Sequence, residues 1–577
     1  MRTQSSRSGT RLLFKLLAAV AVVVLSVLFL WPVLMLVLGA FRTGAPGGPG
    51  EWTFAGFLEA LSDPETWLVS LNSIILAVVT SGLGILIGTF LAWVAVRTTS
   101  PLRRIMTPVM AVILFLPALF YGLGWVLMTS GHNAPLNLFT RTVLGIEEPL
   151  FGPSWPTMLI LVTAFVIPVG YLFMVGPMSR LDAGMDDAAR ISGANKSKTL
   201  FTITVPLLRP AMLGVFVLLT SYAFSAFELP LLFGLPDHIQ VFSTAVFTMM
   251  TGAVVTPNYA GASTLSIILM VLVASLVLFK MLATRRRTYA TISGKGFRPE
   301  PKDYGRIQYL FTAIFVLVVI VSGVIPLGEM ILGSFQPLFG VPGSLTLDNY
   351  RAVLGDSMSM SSIGLTVVLA VAGGFFSTSI ALLLAYVASK HSAWVKSFAA
   401  FVSWSPLAIP GVVVGLALIS AYLPIPGLRM LFGTVWLLLI GFIVIVIPIG
   451  SRAVEGGLVQ ISTELEDAAR VSGASAVRTF SSIVVRLVMP SFLAGWFLSG
   501  LIIAGNLSLP VLLSSPTLQP TAVRAYSLYT QGNTAQAAAL FLLLLVAILL
   551  LAAVCYGLYQ GVRTTRRRVL RSNQPTT

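Results

Sequence analysis

Asp187-Ala188-Ala189-Arg190-Ile191-Ser192-Gly193-Ala194 returns 280 residues later as Asp467-Ala468-Ala469-Arg470-Val471-Ser472-Gly473-Ala474. The echo runs on, pairing Thr199 with Thr479, Ile203 with Ile483 and Pro210 with Pro490. Each copy is a polar island between long apolar runs. Duplication alone does not preserve a polar loop better than its apolar flanks. A loop kept twice in this way reads as a surface offered to a partner in the water.

The rest of the composition says what kind of chain carries these islands. Of 577 residues, 56% are hydrophobic and 10% charged, against roughly 25% charged in a soluble globular chain. Too few polar side chains exist to cover a soluble surface, so the class is a polytopic membrane protein. The single cysteine, Cys555, allows no internal disulfide and no cysteine-based metal site, and His132, His238 and His391 are scattered. No metal, cofactor or catalytic centre is expected. At the N-terminus Arg2, Arg7, Arg11 and Lys15 precede an apolar run that reaches Ala40. That run exceeds the roughly 7–15 residues of a signal-peptide core, and reads as an uncleaved first membrane helix.

A helical span needs about 20 apolar residues. Twelve candidates fall near 16–40, 67–95, 105–128, 156–178, 211–233, 263–283, 309–332, 363–389, 397–423, 431–451, 491–514 and 536–560. The runs are continuously apolar rather than alternating, which selects helices over a barrel. Lys and Arg crowd the two tails and the connector, where Arg285, Arg286, Arg287, Lys295, Arg298, Lys302 and Arg306 sit. The opposite face holds only Arg42, Arg141, Arg351, Arg429 and Arg524. The positive-inside rule then predicts cytoplasmic termini, with both Asp-Ala-Ala loops on the cytoplasmic side of a bacterial inner membrane. The net charge of +16 is a topology signal plus attraction to anionic membrane lipids, and nucleic acid is not an expected partner.

The two halves match beyond the loops. Pro117 and Gly122 correspond to Pro406 and Gly411, and Leu229-Pro230 to Leu509-Pro510. Two six-span halves in the same order form a parallel repeat around a central path. The expected division is a first half over 1–290, a polar connector over 291–308 and a second half over 309–577. The loops lie at about 179–210 and 452–490.

Local physics suggests how each loop folds. Alanines favour a short helix, Asp187 and Asp467 suit its positive N-terminal end, and Gly193 and Gly473 supply a left-handed stop. A second surface helix is predicted over 195–204, ended by Pro206. The pattern Asp-Ala-Ala, Gly193, then Ile203-Thr204-Val205-Pro206 resembles the EAA loop of permease subunits of ATP-binding cassette (ABC) importers. The second copy has Asp467-Ala468-Ala469, Gly473 and Ile483, with Arg486 in place of the final proline. Both carry Asp for the leading Glu.

The resemblance implies an all-α type I ABC importer permease fold. It implies coupling helices at Asp187, Ala188, Ala189, Gly193 and at Asp467, Ala468, Ala469, Gly473, each seated in a cytoplasmic ATPase subunit. Two ATPase copies and an external solute-binding protein are the implied partners. No phosphate-binding Gly-x-x-x-x-Gly-Lys-Ser/Thr occurs in the chain. The fused arrangement, and the stretch Phe227-Glu228-Leu229-Pro230-Leu231-Leu232-Phe233-Gly234, resemble the iron(III) and 2-aminoethylphosphonate permeases. Iron(III) is the expected cargo, with 2-aminoethylphosphonate, thiamine or a polyamine as alternatives.

Polar residues inside the spans are candidates for the path: Glu228, Asn72, Tyr222, Ser508 and Asn506. Interhelical hydrogen bonding is the competing reading for the neutral ones. Gly84 and Gly88 read as a close-packing pair. A different class, a proton-coupled transporter of the major facilitator type, also has twelve spans in two parallel halves. Against it stands the near absence of carboxylates inside the spans.

Overall fold

The computed structural model describes residues 20, 23–24, 26–132, 134–181, 191, 193, 195–252, 257–284, 301–338, 343–389, 393–551 and 553. The described chain is nearly all helix, with isolated β-bridges and no strand among the described residues. In the first half the main elements are α1 (Ser26–Gly39), α2 (Pro64–Arg97), α3 (Arg103–Ile113), α4 (Ala118–Thr129), α5 (Pro135–Leu144), α6 (Trp155–Ser179), α7 (Phe201–Phe224), α8 (Phe242–Thr251) and α9 (Tyr259–Thr284). The second half holds α10 (Ile307–Ser334), α11 (Ser357–Ser389), α12 (Ala393–Trp404), α13 (Gly411–Tyr422), α14 (Val435–Leu458), α15 (Thr463–Val471), α16 (Val477–Gly505), α17 (Thr521–Thr530) and α18 (Thr534–Leu551).

Nine of the described helices are long and apolar enough to cross a membrane, or ten when α3 and α4 count as one span bent by 100°. The expected span over 397–423 is likewise broken, into α12 and α13 with a tight 3-10 turn at Ser405–Ala408 between them. Both breaks fall at the prolines the repeat shares, Pro117 and Pro406. Proline disfavours the helical conformation of the residue before it and supplies no N–H. The expected spans over 211–233 and 491–514 are shortened as well, each ending several residues ahead of its Leu-Pro pair. Helices α7 and α16 stop at Phe224 and Gly505, and the chain bends before the helical turns at Pro230–Gly234 and Pro510–Leu513.

Conversely, Pro206 does not end a surface helix. The chain runs from Lys196 into α7 without a break, through a π-helical turn at Leu200–Thr204, and the second copy has its own at Phe480–Val484. Inside a membrane helix such wide turns satisfy backbone groups that proline would orphan.

Each half has a core of three crossing helices, α2 with α6 and α7, and α11 with α14 and α16. Glycine sets how closely they approach. A Cβ on Gly88 would stand 2.6 Å from the Tyr171 nitrogen, and one on Gly374 would stand 2.7 Å from the Trp496 carbonyl oxygen. Gly84 meets Val166 and Leu219 in the same way. The burial of residues 161–170 repeats position by position at 441–450.

The halves exchange their first helices. Helix α10 packs on the first half: Trp125 Nε1 donates to the Val321 carbonyl at 3.2 Å, and Ser322 Oγ donates to that of Ala164 at 2.8 Å. Helix α1 packs on α13 of the second half, where the Tyr422 hydroxyl donates to the Val27 carbonyl at 3.4 Å. The described part of the connector is docked rather than free. Thr99 N donates to Lys302 O at 3.1 Å and Lys302 N to Arg97 O at 3.0 Å, while Tyr304 packs edge-on against Trp93. Residues 285–300 lie outside the described residues.

Candidate coupling loops and translocation path

The second loop shows the expected local geometry in full. Helix α15 carries Asp467, Ala468 and Ala469, and Gly473 follows at φ +83°. The N–H groups of Ser472 and Ala474 return to the carbonyls of Ala468 and Ala469, both at 3.0 Å. This is the left-handed glycine stop expected from the sequence. A side chain on Gly473 would meet nothing within 4 Å, so glycine is required there by backbone conformation and not by space. In the first loop Asp187, Ala188 and Ala189 lie outside the described residues, but Gly193 takes the same conformation at φ +81°.

What these loops present is unusual. Asp467 and Ala468 are exposed, and Ile191 and its repeat partner Val471 are each 89% exposed. A branched apolar side chain held out in water at the same place in both halves contributes nothing to this chain's own core. It suits a groove on another protein. The motif match alone does not single out Ile191 and Val471, although both stand inside the repeated octapeptide.

Two further residues not evident from sequence hold the loops to the bundle. Arg97, buried at the end of α2, donates from Nη2 to the Leu181 carbonyl at 2.7 Å, where the first loop begins. At the corresponding end of α11, the Tyr386 hydroxyl donates to Oε2 of Glu466 at 3.2 Å. Glu466 is only 5% exposed although it lies on the loop helix. A polar residue closing an apolar run at the same repeat offset is the signal the sequence offers for this pair.

The path candidates divide. Glu228, Asn506 and Ser508 come together where the two bends meet. The Leu507 N–H donates to Oε1 of Glu228 at 3.4 Å, across the halves. Asn506 Oδ1 accepts from Leu509 N at 3.1 Å, and its amide donates to Ser508 Oγ at 3.3 Å. Since Ser508 is the repeat counterpart of Glu228, contact between the two bends places both next to the axis that relates the halves. Prolines 117 and 406 border this point reciprocally. Pro117 packs on Gly505 of α16, and the Ser405–Ala408 turn packs on the first half's α7.

Tyr222 stacks its ring on Phe165 with centroids 6.3 Å apart. It is nevertheless 38% exposed, and its counterpart Ile502 is 42% exposed. Phe227, Leu229, Leu507 and Leu509, at the bends, are buried. The two halves therefore close on each other at the bends, while the paired positions Tyr222 and Ile502, on the loop side of them, are partly exposed. Asn72 does not join this group. It is buried, and its amide donates to the Gln240 carbonyl at 3.1 Å, which ties α2 to the chain entering α8.

Comparison with known proteins agrees with this architecture. The family described as "Binding-protein-dependent transport system inner membrane component" matches residues 84–288 and again 377–567, one match in each half. The chain is 26% identical over 382 residues to the ferric transport system permease protein FbpB of Actinobacillus pleuropneumoniae, covering 66% of this chain and 54% of that one. It is 22% identical over 487 residues to the Fe(3+)-transport system permease protein FbpB 2 of Haemophilus influenzae, covering 83% and 87%. A protein of Salmonella typhimurium named for 2-aminoethylphosphonate transport, PhnV, is 27% identical over 234 residues, covering 39% of this chain and 85% of that one. The chain thus spans little more than half the length of the Actinobacillus relative. With both halves matched and nine to ten apolar spans among the described residues, the chain belongs to the binding-protein-dependent transport system inner membrane components, as a multi-pass membrane permease carrying two fused copies of the family's unit.

Proposed function

We propose that this chain forms the translocation path of an ATP-driven importer for iron(III). A soluble ATPase docks on each of the two loops, and an external binding protein delivers the cargo to the opposite face. The observation that carries the reading is the matched pair of loops, each stopped by a left-handed glycine and each holding an apolar side chain, Ile191 or Val471, out in water. The chain contains no phosphate-binding loop of its own, so the motor is a separate polypeptide. Both termini face that motor, in the cytoplasm.

Movement follows from the way the loops are attached. ATP-driven closure of the ATPase pair draws the loops together, and α7 and α16, continuous with the loops, carry the displacement to the bends. Nucleotide shifts the equilibrium only through differential affinity for the two arrangements, so the joints at Arg97 and Tyr386 must stay rigid. Iron(III) is favoured among cargoes because two of the relatives that align over most of this chain are named for ferric transport. The test is uptake of labelled ferric ion by vesicles holding the chain, its ATPase and its binding protein. ATP-dependent accumulation supports the reading, and accumulation driven by a proton gradient without ATPase refutes it.

A further inference from the structure

We propose that Glu228 is the charge filter of the closed constriction, so that the path passes cations and rejects anions. This rests on the permease reading above and assigns its charge selectivity to one side chain. Four segments meet at the axis: the bends 222–230 and 502–510, and the broken-helix segments 114–122 and 403–411. Together they carry one charged side chain, Glu228. Its counterpart across the axis is the neutral Ser508, so no opposing charge cancels it.

The carboxylate is bonded from both halves, and the N–H groups of Phe227 and Glu228 on its own bend stay with it. Oε1 accepts from the Leu507 N–H of the other half, and the Ser508 N–H also faces the carboxylate. When the halves separate at the bends the Leu507 and Ser508 donors leave together, and the acid, still held by its own bend, faces the gap. An acidic group at the narrowest point of a path draws cations and repels anions. A positively charged cargo then replaces the lost N–H partners at the moment of opening. An anionic cargo such as a phosphonate meets a carboxylate stripped of the other half's donors in a poorly hydrated passage, which is a barrier.

The test uses the chain reconstituted with its ATPase and binding protein, with labelled ferric ion as the probe. Glu228→Gln keeps shape and an acceptor oxygen but removes the charge, while Glu228→Asp keeps the charge. Uptake is expected to fall about tenfold in Glu228→Gln and to stay within about threefold of wild type in Glu228→Asp. ATP hydrolysis should persist in both. Three results would overturn the filter: Glu228→Gln importing ferric ion within about threefold of wild type, Glu228→Asp as deficient as Glu228→Gln, or wild-type vesicles that import 2-aminoethylphosphonate. Wild-type vesicles that couple ATP to the import of no cargo refute the permease reading, and the filter with it.

Discussion

Arg97 and Tyr386 stand at the same point of the repeat, 289 residues apart, and each fastens one of the two repeated loops to the bundle with different chemistry. Arg97 holds a backbone carbonyl, at Leu181, and Tyr386 holds the buried carboxylate of Glu466. The position is kept while the side chain is not, as expected if the requirement is a rigid joint between loop and span.

Removing the hydroxyl at Tyr386 leaves a buried carboxylate short of a donor. Tyr386→Phe should therefore cost about 1–2 kcal/mol locally, while the ring remains packed on Phe480 at 4.7 Å. Amide exchange across 463–471 should accelerate, with the other helices unchanged. Unchanged exchange there would show that the bond does not hold the loop.

Gly473→Ala places a Cβ on a left-handed residue with open space around it. The expected cost is about 1 kcal/mol from backbone conformation. Thermal unfolding in detergent should move little, while ATPase binding weakens because α15 changes its exit angle. An equal loss of global stability and of binding would point to misfolding instead.

Packing gives a sharper contrast within one helix. Gly88→Val drives a branched side chain into the backbone of Gly170 and Tyr171, whereas Gly82 has nothing within 4 Å of an added Cβ. Gly88→Val should lose several kcal/mol or fail to assemble, as overpacking of a tight core does. Gly82→Val should express and unfold like the parent. Equal behaviour of the two would refute the described α2–α6 crossing.

Asp356, just before α11, pairs with Arg524 of α17 at 2.8 Å. The Ser359 hydroxyl, opposed by partial burial, and then the Arg524 guanidinium hold its carboxyl below the usual carboxylate range. A depressed folded-state pKa means the stabilisation is full above the ordinary aspartate value of about 4. It is lost as pH falls through the lower folded value. The pair is partly exposed, with side chains 16% and 36% accessible, so its worth is about 0.5–1 kcal/mol. Arg524→Ala should lower the melting temperature at pH 7 and converge with wild type toward pH 3. A constant gap across that range would exclude the linkage.

Much of this architecture is legible in the amino-acid sequence. The octapeptide repeat locates both loops, and the apolar runs locate the spans. The glycines of the octapeptide announce the left-handed stops at Gly193 and Gly473. What hydropathy cannot say is which neighbour a span packs against, because lipid-facing and protein-facing surfaces are equally apolar. That is why the exchange of α1 and α10 between halves is invisible in the sequence, along with the docking of Lys302 against the end of α2. The bends are present in Leu229-Pro230 and Leu509-Pro510, yet hydropathy merges them into the span interior because the residues around them are apolar. Glu228 stands out by its charge alone, but its partner, a backbone N–H 279 residues away, leaves no trace in side-chain pattern.

The central claim is that two motors grip two loops. Native mass spectrometry of the purified transporter counts them directly. Two ATPase subunits per chain are predicted, one remaining after Val471→Asp and none after Ile191→Asp and Val471→Asp together. A wild-type chain that binds no ATPase, or a doubly altered chain that still holds two, would contradict the account.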